Sequence, residues 1–216
     1  MKEPTNIAIL GIHTGIGKTI VSAIIAEALG ADYWKPVQAG LEERDTVLIR
    51  TLLTNGTTRV HKEAVLLTQP LSPHAAAAID NIVIDYKNFT WPATGNLLVV
   101  ETAGGVLSPI SADSTMADFA AHYRLPAILV VQHYLGSINH TLLCIEVLKN
   151  RNIPLLGIVI NGYENPASET FIMQYSGVPI IARIPHFTTL NNDAIAACAA
   201  QIKTSLQDAI ASGSNN

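Results

Sequence analysis

Charged and aromatic residues are scarce in this chain. Of its 216 residues only 14% are Asp, Glu, Lys or Arg, only 6% are aromatic, and the net charge is −4. No basic tract occurs, which argues against nucleic acid as the main partner. The two cysteines, Cys144 and Cys198, lie far apart and in no metal-like spacing. They offer no disulfide scaffold, and both are expected reduced and buried. No apolar run reaches the roughly 18 residues of a membrane span. The N-terminal stretch MKEPTNIAIL lacks the apolar segment of a signal peptide. The expectation is a cytoplasmic protein with no membrane partner.

Ala, Ile, Leu and Val are abundant instead. With 49% apolar residues, one sizeable core can be buried. The length suits a single domain over 1–216, with the polar tail ASGSNN from about 211 expected to fray. NIAILGI (6–12), DYWKPV (32–37), NLLVVET (96–102), PAILVVQ (126–132), LLGIVIN (155–161) and VPIIARI (178–184) read as strands. KTIVSAIIAEALG (18–30) reads as a helix closed by Gly30, and EERDTVLIRTLL (42–53) as one with acids in its first turn. STMADFAAHY, SINHTLLCIEVLKNR with Ser137 as N-cap, and NNDAIAACAAQIKTSLQDAI are the other helices. The stretch 54–96 is the least regular, with TQPLSPHAAAAID a loop feeding a short helix. Repeated β-α-β order predicts a single three-layer α/β domain, a mostly parallel sheet with helices on both faces. Such sheets bind ligands at the carboxyl ends of their strands.

The first strand end carries the strongest signal. GIHTGIGKTI (11–20) follows an apolar strand, opens a helix and contains Gly-Lys-Thr. Its backbone N–H groups can cradle phosphate, Lys18 can reach the β and γ phosphates, and Thr19 can offer its hydroxyl to Mg²⁺. The usual pattern has four residues between its glycines, whereas five separate Gly11 from Gly17. The second strand ends in Lys35, positioned to face the same phosphates or to snorkel off an edge. Asp45, in the next helix, could complete a Mg²⁺ site or simply stabilise a first turn. The third strand ends in Glu101, an acid costly to bury unless it meets a cation. Gly136, Ser137, Ile138 and Asn139 form a helix start able to hold a carboxylate, or an ordinary N-cap. Asn161 could read a nucleobase edge or serve as a turn residue.

Together these segments resemble the dethiobiotin synthetases over residues 7 to about 187. That family's phosphate loop, G-T-D-T-x-V-G-K-T, shares the spacing of GIHTGIGKT. KPVQAG, RDTVLI, PLSPHAAA, VVETAGGVLSPIS, LGSINHTL, GIVIN and ARIP match its other segments in order. The resemblance implies a P-loop NTPase-like fold and an ATP- and Mg²⁺-dependent ligase. Such an enzyme uses CO₂, or bicarbonate as its source, to close a ureido ring on 7,8-diaminononanoate. It implies catalytic roles for Lys18, Lys35 and Thr14, and Mg²⁺ held by Thr19, Asp45 and Glu101. ATP would bind His13, Thr14, Gly15, Ile16, Gly17, Lys18, Thr19, Ile20, Asn161 and Pro185. The substrate would meet Lys35, Ala39, Ser72, Pro73, Ala103, Gly104 and Gly105. Its carboxylate would be held by Gly136, Ser137, Ile138 and Asn139 of a partner chain, in a homodimer whose active site lies at the interface.

This chain departs from the family pattern at His13, where Asp is usual, at Thr102, where Gly is usual, and at Ala39, where Ser or Thr is common. A partition- or assembly-type P-loop ATPase switch would share the fold, but such switches carry an extra lysine early in the loop, and none lies between Lys2 and Lys18. A Rossmann-like binding domain fits less well, because Ile20 breaks its glycine pattern.

Overall fold

A computed structural model of the protein describes residues 6–213. The six expected strands form one parallel sheet: β1 (Ile7–Gly11), β2 (Asp32–Trp34), β5 (Leu98–Glu101), β6 (Ala127–Val131), β7 (Leu155–Asn161) and β8 (Ile180–Ile184), in spatial order β2-β5-β1-β6-β7-β8. β1, β2, β5 and β6 are buried along their whole length, as strands covered by helices on both faces must be. The helices are α1 (Lys18–Leu29), α2 (Asp45–Leu52), α3 (Pro73–Asp80), α4 (Met116–His122), α5 (Ser137–Asn150), α6 (Pro166–Ser176) and α7 (Asn192–Gly213). α1 stops where Gly30 adopts φ 61° and its N–H bonds to Ala26 O, a conformation open to glycine at little cost. α4 begins with a capping box between Thr115 and Asp118.

The sheet register positions the site. Ile9 pairs with Glu101, and Trp34 pairs with Val100. Lys35 therefore emerges level with Glu101, while β1 runs on to Gly11 and the loop that follows. Because β1 lies between β5 and β6, its carboxyl end is central.

Several boundaries differ from the sequence reading. The strand expected over 32–37 is two strands. It breaks at Lys35-Pro36, where proline lacks a ladder donor, and resumes as β3 (Val37–Ala39) in a separate sheet with β4 (Val65–Leu67). Ala64 N and Val65 N both bond to Pro36 O at 2.9 Å, which starts that small sheet. β4 falls within the stretch read as irregular. The helix expected from 42 starts at Asp45, and Glu42 and Glu43 are exposed outside it. α6 is absent from the sequence reading, although Asn165 caps it through Ser168 N, Pro166 opens it and Gly177 ends it at φ 73°. Gly136, not Ser137, is the N-cap of α5, because its φ of 99° places Ser137 inside the first turn. Residues 211–213, expected to fray, continue α7, and 214–216 lie outside the described residues. Cys198 is buried but Cys144 only half-buried. Burial raises both thiol pKa values, that of Cys144 to about 11, so neither is a poised nucleophile. Among the described residues no helix is long and apolar enough to cross a membrane.

Candidate active site

The phosphate loop spans residues 12–17 between β1 and α1. Gly15 and Gly17 have φ of 76° and 82°. A Cβ on Gly17 would lie 2.2 Å from Asn161 Nδ2, so both backbone angle and space require glycine there. Asn161, at the end of β7, donates Nδ2 to Ile16 O at 2.8 Å and pins the loop to the sheet. Part of its amide is thus engaged with the protein. Lys18 Nζ donates to His13 O at 3.3 Å across the loop. Burial lowers its pKa from 10.5 to about 8, with Lys35 acting in the same direction and Glu101 and Asp45 opposing.

Below the loop, four expected residues form one cluster. Thr19 Oγ1 lies 2.8 Å from Asp45 Oδ1 and 2.9 Å from Glu101 Oε1. A hydroxyl has one proton, so it serves the two acceptors alternately. Lys35 Nζ bonds to Asp45 Oδ2 and lies 3.3 Å from Glu101 Oε1. Burial opposes the charge on Lys35, but the two carboxylates outweigh it and its pKa is raised.

Two contributors are missing from the sequence reading. Tyr33, wholly buried, donates its hydroxyl to Glu101 Oε2 at 2.9 Å. Burial and then the Glu101 charge push its pKa well above the ordinary tyrosine value. Strand periodicity holds the signal, since Tyr33 and Lys35 are two residues apart and share a face. Gln38 Oε1 accepts from Asp45 N at 3.3 Å.

Among the described residues no group of three or more His, Cys, Asp or Glu could hold a metal ion. Two carboxylates and a threonine hydroxyl do suit Mg²⁺ where phosphate oxygens complete its shell, so the donor set fits that ion.

The loop after β5 closes over the phosphate loop: Val106 N bonds to Gly11 O at 3.0 Å. Gly104 has φ 72°, and a Cβ there would lie 3.5 Å from Thr14 Oγ1. Gly105 N donates to Ser108 Oγ at 2.7 Å, and Ala103 is half-buried beside them. His13 and Thr14 are exposed and line a groove running past Ser108 to His140 and Leu143 of α5. His13 meets the Tyr134 ring at 6.1 Å, and Tyr134 Oη is 2.7 Å from His140 Nδ1.

The remaining expected residues lie apart. Gly136, Ser137, Ile138 and Asn139 line a second recess with His133 and Asn165, outside the groove of Thr14. Ala39 lines a third, against Thr68–Pro70. Nearby, Ser72 caps α3 by position alone and Pro73 is buried. Ile16 is buried and Ile20 half-buried, while Pro185 is exposed just after β8.

A family model described as an AAA domain matches residues 5–194. ATP-dependent dethiobiotin synthetase BioD of Christiangramia forsetii is 48% identical over 85% of this chain and 90% of its own. The protein of that name from Rhodopseudomonas palustris strain BisB5 is 46% identical over 91% and 93%. Among solved structures, the Pyrococcus furiosus cell division ATPase MinD superposes with a TM-score of 0.56 at 16% identity, covering 96% of this chain and 98% of its own. A putative plasmid partition protein of Borrelia burgdorferi, bound to AMPPNP, reaches 0.57 at 12% identity, covering 97% and 99%. These two share the P-loop NTPase fold and no more, so they do not favour the switch reading. The match in sequence, along nearly the whole chain, is with the synthetases. The chain belongs to the ATP-dependent dethiobiotin synthetase family.

Proposed function

We propose that this chain is an ATP- and Mg²⁺-dependent ligase that closes the ureido ring of dethiobiotin from 7,8-diaminononanoate and CO₂. Beyond family membership, one observation carries the reading: Lys35, Asp45, Glu101 and Thr19 converge beneath the phosphate loop, though they come from four separate segments. A phosphate cradle alone would serve any nucleotide-binding protein. The added lysine and carboxylate pair supply what phosphoryl transfer needs.

The reaction balances as follows. One neutral amine adds to CO₂ and loses a proton, giving a carbamate. A carbamate oxygen attacks the γ-phosphorus of ATP and ADP leaves. The second amine attacks the carbonyl carbon of the carbamic–phosphoric anhydride and loses a proton to solvent, phosphate leaves with the C–O bond pair, and the ring closes. Negative charge builds on the γ-phosphoryl oxygens in the second step. Lys18 and Lys35 neutralise it, and the loop N–H groups hold the β-phosphate. Thr14 bonds to the carbamate or the γ-phosphate. Thr19, Asp45 and Glu101 would hold the Mg²⁺, which when bound supplies charge neutralisation at the β and γ oxygens. By the family resemblance Asn161 and Pro185 would border the base, and the 103–105 loop, with Ala39, Ser72 and Pro73 from outside the groove of Thr14, would border the diamine.

The site is completed by a second copy of the chain. Leu107 and Leu143 line the groove and Leu135 lines the neighbouring recess; they are 50%, 56% and 103% exposed, a cost that contact with a partner would relieve. The helix start at 136–139 faces outside its own groove and would hold the substrate carboxylate across that contact.

The test is ADP release with 7,8-diaminononanoate and bicarbonate each omitted in turn. Release that needs both supports the ligase; release indifferent to the diamine overturns it.

A further inference from the structure

We propose that Glu63 is the positioning residue for Asp45, a buried carboxylate outside the reacting groups that sets where the Asp45 side chain points. The proposal rests on the reading of Asp45 as a Mg²⁺ ligand.

Asp45 is the first residue of α2. A first-turn residue has little help from its own helix, because the leading N–H groups have no partners within it. Arg44, the N-cap, makes no capping bond with its side chain. Its guanidinium instead turns to Glu63, with Nη2 at 2.9 Å from Oε1 and 2.8 Å from Oε2, and Nε at 3.3 Å from Oε1. Thr46, wholly buried, donates Oγ1 to Glu63 Oε1 at 2.6 Å. The residues on either side of Asp45 are thus gripped by one carboxylate, while Asp45 itself faces Thr19 and Lys35.

The anchor is itself fixed. His61 N bonds to Tyr33 O at 2.9 Å, and Trp34 Nε1 bonds to Lys62 O at 3.1 Å. Ala64 N and Val65 N both reach Pro36 O. The backbone on both sides of Glu63 is therefore tied to residues 33–36, the segment that carries Tyr33 and Lys35. Through Glu63, the helix-borne Asp45 and the strand-borne Lys35 share one frame of reference.

A carboxylate is an expensive way to fill space. The Glu63 side chain is 1% exposed, and apolar packing often replaces a buried ion pair without loss of stability. What the carboxylate adds is direction, because it accepts from donors on both flanks of Asp45 at fixed angles. Glu63 acts on Asp45 through its two chain neighbours, Arg44 and Thr46, and groups that orient a metal ligand from outside tune its affinity for the metal.

The test measures the Mg²⁺ concentration for half-maximal ATP turnover in the full chain, together with the thermal midpoint. Glu63→Gln keeps the size but sets an amide against the donors. Thr46→Val keeps the shape and removes one donor, and it serves as the milder variant if Glu63→Gln folds poorly. Glu63→Gln is expected to raise the Mg²⁺ requirement on the order of tenfold, and Thr46→Val to raise it less. In an Asp45→Asn background neither should raise it further, because Asp45 is the route by which both act. A purely structural role would lower the thermal midpoint in both backgrounds and leave the Mg²⁺ requirement alone. An unchanged requirement in both Glu63→Gln and Thr46→Val overturns the proposal, as does a full effect in the Asp45→Asn background. An unchanged requirement in Asp45→Asn itself overturns the metal role of Asp45, and the Glu63 role with it. The two failures differ in which single variant keeps the wild-type requirement.

Discussion

The hydroxyl of Tyr33 holds one oxygen of Glu101 at 2.9 Å, while the other oxygen of the same carboxylate faces Thr19 and Lys35. Glu101 is thereby oriented from behind. Tyr33→Phe keeps the ring and removes the bond, stranding a buried carboxylate oxygen. The expected cost is about 1–3 kcal/mol of folding stability, read as a lower urea midpoint with an unchanged m-value. An unaltered midpoint would show that water or another donor already satisfies that oxygen.

Lys35 is the cation between Asp45 and Glu101 when no metal is present. Lys35→Met should destabilise the metal-free protein by about 3–5 kcal/mol, since two buried carboxylates lose their partner. Added Mg²⁺ should raise the thermal midpoint of this variant more than that of the parent. Turnover should fall with that of Lys18→Met. Normal turnover in Lys35→Met would remove Lys35 from the chemistry.

Lys18 gives a pH signature whose sign follows from burial. Its pKa of about 8 in the fold lies below the ordinary lysine value of 10.5. The unfolded chain therefore binds more protons between those values, and stability from this group rises with pH across that window. The cost of burying the ammonium is fully present below about pH 8. ATP phosphates need the charged form, so ATP affinity should fall by about tenfold near pH 9. Amine deprotonation drives the rate upward from about pH 6.5, so turnover at low diamine should be bell-shaped. ATP titrations at several pH values check the alkaline limb, and Lys18→Arg should flatten it. A flat rate between about pH 6.5 and 8.5 contradicts the acidic limb.

Leu135 and Leu143 test the second copy. A Leu135→Glu, Leu143→Glu protein should sediment as a monomer, bind ATP normally and lose turnover. A monomeric parent, or a monomeric variant with full activity, would place the whole site within one chain.

The six-strand sheet was legible because most of its strands are short apolar runs, and β1, β5 and β6 are buried along their whole length, a pattern that needs no knowledge of the partners. The phosphate loop was legible because its residues are contiguous. Lys35 and Asp45 each had a plain alternative from local sequence; the register of β2 against β5 sets Lys35 level with Glu101, and the start of α2 brings Asp45 to both. Period-two spacing sets Tyr33 on the face of Lys35, but its role depends on Glu101, 68 positions away, and Glu63 was not legible, because its role is defined by a residue 17 positions away. The break at Pro36 was hidden for a related reason: whether a proline ends a strand or redirects it depends on what receives its carbonyl.

The bonds of the cluster join positions 26, 66 and 82 apart in the chain. Loop-closure entropy must be met for each before any contact forms. No fragment carrying the phosphate loop alone can hold this arrangement, since it needs β1, β2 and β5 side by side. Assembly of the site therefore requires the chain between residues 19 and 101 to have taken its place. A molecule competent to transfer phosphate is then one whose central sheet has already closed.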